Sequence, residues 1–157
     1  MHEQTLKQLK NELELREKEG SMCLFGQYEG YPICIIPWSK EGYFTLFFSV
    51  AGHNVLLKKE DFQELCAEEK WIDSLSAELY QLTVHTKHHR FRDKKCAETL
   101  QKALQLITAF LQKSGYQPCC SSCGSRTNVD FLVTGHYESA LLCPDCMEKA
   151  ERRIKKD

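Results

Sequence analysis

Cys120-Ser-Ser-Cys123-Gly124 and Cys143-Pro-Asp-Cys146, with nineteen residues between Cys123 and Cys143, decide the fold of the C-terminal part of this chain. Each Cys-x-x-Cys pair places two thiolates on one tight turn. Two such turns can close a tetrahedron around Zn²⁺, with Zn–S distances of about 2.3 Å. Four thiolates leave no coordination position for a substrate. The spacing therefore predicts a structural zinc site with Cys120, Cys123, Cys143 and Cys146 as ligands.

Three alternatives to this assignment are open at the sequence level. Cys119 adjoins Cys120 and could replace it, but with Cys123 it would form Cys-x-x-x-Cys, so Cys120 is preferred. Four thiolates can also bind iron in a rubredoxin-like site. The third alternative is four reduced cysteines without metal. Zinc is favoured over metal-free thiols because a segment of about forty residues has too small a core to fold unaided.

The residues around the two cysteine pairs predict a hairpin and a helix. Two short strands are expected at 129–133 and 139–142, on either side of Gly135, and a helix at 147–156 that begins on the second pair. A cysteine turn, a hairpin and a helix follow one another in this order in a treble clef. A zinc ribbon would instead have a second hairpin in place of the helix.

Cys-Ser-Ser-Cys-Gly, the hairpin with Gly135, Leu142-Cys143-Pro-Asp-Cys146 and a charged helix resemble the N-terminal zinc-binding domain of the ClpX chaperone family. The resemblance covers residues 117–157, and residues 1–116 resemble no family that we recognise. It implies a treble clef that dimerises and docks partner proteins or substrates. A protein partner, or a second copy of the chain, is therefore the expected partner.

Composition places the chain among ordinary globular proteins. Its 157 residues, 42% hydrophobic and 27% charged, allow one ordinary folded domain and a small appendage. From the motifs and the predicted elements, we expect an α+β domain over 1–116 and a zinc-binding unit over 117–157. With 21 basic and 22 acidic side chains, the formal charge of -1 gives no whole-protein reason to expect nucleic acid or an anionic membrane. Nine cysteines, an odd number, and no N-terminal secretion signal predict reduced thiols and a cytoplasmic location. No apolar run is long enough to predict a membrane span.

The first half of the chain predicts an N-terminal helix and a sheet. Leu6, Leu9 and Leu13 form one apolar stripe in a helix expected over 4–19, which should pack on the domain; self-association through this stripe is the alternative. Strands are expected at 23–25, 31–36, 43–50, 54–57 and 80–85, and the short connections make the first of these an antiparallel meander. Helices are expected at 61–75, where residues 68–71 could divide the helix into two pieces, and from Asp93 to 113. The predicted fold class is α+β, an antiparallel sheet backed by helices.

Several other cysteines and histidines have a simple structural interpretation. Cys23, Cys34, Cys66 and Cys96 lie on apolar faces of predicted elements, so we expect them to be small buried residues rather than nucleophiles. His53 and His136 fall in predicted turns or loops. His85, His88 and His89 could form a second metal site, although a solvated connection is the simpler interpretation.

The stretch 85–95 is the concentrated basic segment of the sequence, and its cations are Lys87, Arg90, Arg92, Lys94 and Lys95. These side chains could contact phosphates or an acidic partner, so a nucleic-acid-binding protein that uses this patch and the C-terminal helix is one alternative function. An enzyme with its site in the α+β domain is another, but no paired carboxylates, phosphate-binding glycine loop or nucleophile-and-base motif supports it. The favoured prediction is a non-enzymatic zinc-binding protein that acts as a protein-interaction or adaptor module.

Overall fold

A computed structural model describes residues 2–17, 23–37, 43–51, 62, 72–78, 80–87, 93–125, 129–133 and 139–156. The elements follow one another in the order α1 (His2–Leu13), β1 (Arg16–Glu17), β2 (Leu24–Tyr28), β3 (Tyr31–Pro37), β4 (Tyr43–Ala51), β5 (Ile72–Glu78), β6 (Gln81–Lys87), α2 (Asp93–Lys113), β7 (Gln117–Pro118), β8 (Asp130–Val133), β9 (Ser139–Leu142) and α3 (Pro144–Lys156). The predicted strand at 54–57 lies outside the described residues. Helices and antiparallel strands together confirm the α+β class.

The described strands form one large antiparallel sheet and one small one. In the large sheet the order is β1-β2-β3-β4-β6-β5, and β7 pairs with the end of β4. The consecutive pairings β2–β3 and β3–β4 confirm the predicted meander. β8 pairs antiparallel with β9 in a separate hairpin.

One face of the large sheet carries the main core. Along β4, alternate side chains point to this face and are fully buried, as the period of two predicts: Phe44, Leu46, Phe48 and Val50. Helix α2 lies over the same face and contributes an apolar stripe of buried residues: Ala97, Leu100, Ala103, Leu104, Ile107 and Leu111. The sheet is therefore backed by helices, as the sequence predicts.

Helix α1 is shorter than its predicted range of 4–19. It ends at Leu13 because Glu14 takes a φ of +54°, which breaks the helical backbone. Leu15 then turns into the core, and Arg16 and Glu17 pair with β2 as strand β1. The tertiary pairing with β2 overrides the local helical preference of the last residues.

The leucine stripe of α1 packs on the domain, as predicted. Leu6 is 8% exposed and Leu9 is fully buried, both in the core that α2 and the sheet share. The amide of Gln101 in α2 also donates a hydrogen bond to the Glu12 carboxylate. Leu6 and Leu9 are therefore buried within the chain, and the half-buried Leu13 packs against the same core, so the stripe is used within the chain.

The predicted helix over 61–75 is wrong for residues 72–75. These residues begin strand β5, which pairs with β6 up to Glu78 and Gln81 across a two-residue connection. The spacing of Ile72 and Leu75 fits a helix locally, but the short connection brings β5 beside β6, where ladder hydrogen bonds satisfy its backbone. Of residues 61–71, the structure describes Phe62 alone, fully buried in the main core.

The opposite face of the sheet carries a smaller apolar cluster. Cys23, Phe25 and Cys34 are buried there, which confirms that these two cysteines are buried small residues. Leu141 of β9 packs into the same cluster. The β8–β9 hairpin is therefore attached to the sheet face that α1 and α2 leave uncovered. Among the described helices, none has the length and apolar character needed to cross a membrane.

Candidate metal centre

The first cysteine pair lies on a tight turn that follows β7. The Gly124 N–H donates to the Cys120 carbonyl (3.0 Å), and the Cys120 N–H donates to the Ser125 carbonyl (2.8 Å). Gly124 takes a φ of +77°, a conformation in which glycine costs least. In addition, the Ser122 N–H points at the Cys120 sulfur, 3.4 Å away. The turn thus gathers the two thiols and supplies an amide donor to one of them.

The second cysteine pair lies at the N-terminus of α3. Pro144 is the first residue of this helix, a position where proline is favoured because it needs no intrahelical donor. The helix therefore begins three residues before the predicted start at 147. The Met147 N–H donates to the Cys143 carbonyl (2.8 Å), so Cys143 caps the helix and Cys146 lies in its first turn. One Cys-x-x-Cys pair is thus on a turn and the other on a helix end.

The four sulfur atoms converge on one point. Those of Cys120, Cys123, Cys143 and Cys146 all lie within 4.8 Å of one another. The sulfurs of Cys123 and Cys143 are 3.7 Å apart. A tetrahedron with Zn–S distances of about 2.3 Å has edges of about 3.8 Å. This separation fits two ligands of one ion and is too long for a disulfide, whose S–S bond is about 2.0 Å.

The four positions differ in their exposure to solvent. Cys120 is fully buried and Cys143 is 4% exposed, whereas Cys123 is exposed and Cys146 is half-buried. Leu142 and Ala150 pack around the buried side. The centre therefore has an apolar inner side and a solvent-facing outer side. Within the described part of the chain, this is the one group of His, Cys, Asp or Glu side chains that could hold a metal ion.

The thiols differ in acidity as well. Burial alone would raise the pKa of Cys120, but hydrogen bonds from backbone amides, chiefly those of Cys123 and Cys143, outweigh it and lower the pKa to about 7. Burial raises the pKa of Cys146 to about 12, with a further contribution from neighbouring thiols. The pKa of Cys123 is also raised: a backbone hydrogen bond from Ser125 lowers it, but desolvation and the Cys143 thiol outweigh that effect. A bound cation would supply the positive charge that lets such closely spaced thiolates ionise together.

The turn of the first pair is attached to the large sheet. The Cys119 N–H donates to the Ser49 carbonyl (3.2 Å), and the Ser49 hydroxyl donates to the Cys119 carbonyl (2.6 Å). The Gln81 side-chain amide donates to the Ser121 carbonyl (3.4 Å). Ser49 and Gln81 lie opposite each other on the paired strands β4 and β6, so this end of the sheet supports the turn.

The same turn is attached to the small hairpin. Both the N–H and the hydroxyl of Ser121 donate to the Leu141 carbonyl, at 2.9 and 2.8 Å. Leu141 in turn packs on the sheet face opposite α1 and α2. Neither Ser121 nor Leu141 was a sequence-level candidate, because no local pattern marks residues that act through pairing with a distant strand.

The other cysteine and histidine candidates whose side chains the structure describes are not brought to this centre. Cys119 is buried, but it is not a member of the sulfur cluster. The half-buried His85 has its Nδ1 atom 2.9 Å from the Thr45 hydroxyl on the neighbouring strand. Lys87 ends β6, whereas Lys94 and Lys95 lie in the first turn of α2. Several candidates lie outside the described residues: His53, Cys66, His88, His89, Arg90, Arg92 and His136. The side chain of Cys96 is not described either.

Comparison of the chain with family models, with curated proteins and with solved structures gave no match. The resemblance to the ClpX zinc-binding domain therefore rests on the cysteine motifs and the element order alone. What the structure adds is the convergence of the four sulfur atoms.

Proposed function

We propose that this chain binds one structural Zn²⁺ through Cys120, Cys123, Cys143 and Cys146. The observation that carries the proposal is the convergence of four sulfur atoms within 4.8 Å, with one separation of 3.7 Å. Thiolate ligands in a tetrahedral set favour zinc, and iron is the chemical alternative. Four protein ligands fill the coordination sphere, so the ion holds the local fold together rather than acting on a substrate.

The proposed fold of residues 117–157 is a treble clef. Support comes from the element order: a cysteine turn, the β8–β9 hairpin, and α3 with the second pair at its start. In this proposal, the unit follows the α+β domain of residues 1–116. The ion replaces the large apolar core that a segment of this size lacks.

The role that we propose for the protein is a non-enzymatic interaction or adaptor module in the cytoplasm. The resemblance to a zinc domain that dimerises and docks proteins supports this role, as does a fully coordinated metal. The partner is a protein or a second copy of the chain. The outer side of the centre, where Ser122, Cys123, Pro144 and Asp145 are exposed, is the contact surface that we favour.

The metal assignment can be tested by comparing Cys143→Ser with Cys119→Ser. Elemental analysis of protein purified under reducing conditions should find about one zinc per chain in the wild type and in Cys119→Ser. Cys143→Ser should lose most of its zinc. Because Cys119 is as buried as Cys143 but lies outside the sulfur cluster, this control separates ligation from general loss of structure. Retention of zinc by Cys143→Ser, or iron in its place, would overturn the assignment.

The interaction role can be tested by sedimentation of the zinc-loaded chain with and without a chelator. Association through the metal unit predicts an oligomer that dissociates when zinc is removed. A monomer with zinc bound would exclude self-association and leave a different protein as the partner. Fluorescence anisotropy with a labelled oligonucleotide tests the alternative, because nucleic-acid binding should weaken steeply as salt rises. Such salt-sensitive binding would replace the adaptor role.

A further inference from the structure

Tyr80 takes a backbone conformation that its side chain disfavours. It lies in the two-residue connection between Glu78 of β5 and Gln81 of β6, and its φ is +61°. Connections of this length favour glycine or asparagine at positive φ, because a Cβ atom crowds the backbone there. A bulky aromatic residue in such a position is a reason to look for a role of its side chain.

The Tyr80 ring lies against the turn of the first cysteine pair. A Cβ atom placed on Gly124 would lie 2.5 Å from Cζ of Tyr80, 2.6 Å from Cε1 and 2.9 Å from Cε2. Gly124 also has a φ of +77°. Glycine is therefore favoured at 124 for two reasons, its backbone conformation and the space that the Tyr80 ring occupies. The two positions are complementary: the ring of one fills the space where the other has no side chain.

Gly124 belongs to the hydrogen bond that closes the cysteine turn. Its N–H donates to the Cys120 carbonyl (3.0 Å), which brings Cys120 and Cys123 onto the same side of the turn. Contact of the Tyr80 ring with Gly124 therefore influences the relative position of Cys120 and Cys123. Tyr80 itself does not belong to the sulfur cluster.

The backbone of Tyr80 is hydrogen-bonded to the large sheet. The Tyr80 carbonyl accepts a hydrogen bond from the Val50 N–H (3.2 Å), at the end of β4. The next residue, Gln81, donates to the Ser121 carbonyl within the same cysteine turn. The β5–β6 connection is thus tied both to the sheet and to the metal centre.

We propose that Tyr80 is a positioning residue of the metal centre: its ring holds the Cys120–Gly124 turn in the geometry that ligation requires before the metal binds. The inference rests on the proposed metal binding. We attribute the positive φ of Tyr80 to this contact between its ring and Gly124. Tyr80 acts through Gly124 and does not contact the ion.

The test compares Tyr80→Gly with Tyr80→Phe. Glycine adopts a positive φ without strain and removes the ring, whereas phenylalanine keeps the ring. Zn²⁺ affinity is measured by competition with a chromophoric chelator under reducing conditions. The thiolate absorption of the Co²⁺-loaded protein reports the ligand geometry. We expect Tyr80→Gly to lose about 10- to 100-fold in affinity, as supporting residues of metal sites typically do, and Tyr80→Phe to match the wild type.

If Tyr80 only formed the turn, removing its ring would not weaken zinc binding. Tyr80→Gly would then bind zinc as tightly as the wild type and be at least as stable, because glycine suits this backbone conformation. That result would overturn the role of Tyr80 while leaving metal binding intact. A wild type that binds no zinc would instead remove the proposed function and this inference together.

A double-mutant cycle with Gly124→Ala tests the contact from the other side, because it compares the cost of one substitution with and without the Tyr80 ring. The added methyl group meets the ring, so Gly124→Ala alone should weaken zinc binding. In Tyr80→Gly the methyl group has space, and the same substitution should cost less, which gives a non-additive cycle. Additive losses would show that Tyr80 and Gly124 act independently and would contradict the proposal.

Discussion

At the scale of single residues, the four cysteines of the centre are chemically unequal although their motifs look alike. Cys120 is buried and receives backbone amide hydrogen bonds, and its pKa falls to about 7. Cys146 is half-buried among thiols, where burial raises its pKa to about 12. The amides thus favour the thiolate form of Cys120, while Cys123 and Cys146 keep their protons to higher pH.

These differences predict how zinc affinity depends on pH. A thiol must lose its proton to become a ligand, so apparent affinity should rise with pH. Below pH 7 the ion must displace protons from Cys120, Cys123 and Cys146. Above pH 7 Cys120 is already ionised, so the slope of log affinity against pH should fall by about one proton. Chelator competition across this range measures the slope, and a slope that stays constant through pH 7 would contradict the expected acidity of Cys120.

At the scale of elements, helix α1 is held by packing rather than by its own helical preference. It has twelve residues, a length at which isolated helices are marginal in water. Its leucines enter the core beside α2, and the chain then continues directly into β1. We therefore expect the stability of α1 to depend on its buried stripe.

Leu9→Ala and Leu106→Ala test this expectation as a matched pair. Leu9 is fully buried between α1 and the domain, so its truncation should lower the free energy of unfolding by about 2–5 kcal/mol. Leu106 of α2 is 37% exposed, and its truncation should change the free energy of unfolding by no more than about 0.5 kcal/mol. Urea denaturation followed by circular dichroism measures both. Equal effects would show that α1 does not depend on this packing.

The elements that follow from the sequence are those in which local pattern and tertiary environment agree. The alternating residues of β4 and the apolar stripe of α2 face one core, so periodicity alone predicts both. Residues 72–75 and the end of α1 differ, because pairing with the next strand along the chain overrides helical spacing there. The spacing within each Cys-x-x-Cys motif predicts that its two thiols lie together, and the folded chain brings the two pairs to one point. The supporting contacts of Ser49, Tyr80 and Leu141 have no such local signal, since each depends on how separate elements meet.

At the scale of the whole molecule, the cysteine cluster is connected to the large sheet through contacts on two sides. Ser49 exchanges two hydrogen bonds with Cys119 beside the first cysteine pair. Leu141, next to the second pair, packs on Cys23 and Phe25 of the sheet. The division of the chain between residues 116 and 117 remains a prediction, but these contacts connect the two parts in the folded protein.

Zinc removal should therefore lower the stability of the sheet as well as that of the metal unit. An ion that binds only the folded chain, at a hundred times its dissociation constant, stabilises it by about 2.7 kcal/mol. For a protein of this size, the loss corresponds to a fall in Tm of about 5–10 °C. Thermal unfolding followed by far-ultraviolet circular dichroism, with and without a chelator, measures the shift. Cys143→Ser is the control, because a chain that binds no zinc should not respond to the chelator. A sheet transition that stays in place while zinc leaves the wild type would show that the contacts through Ser49 and Leu141 do not couple the two parts.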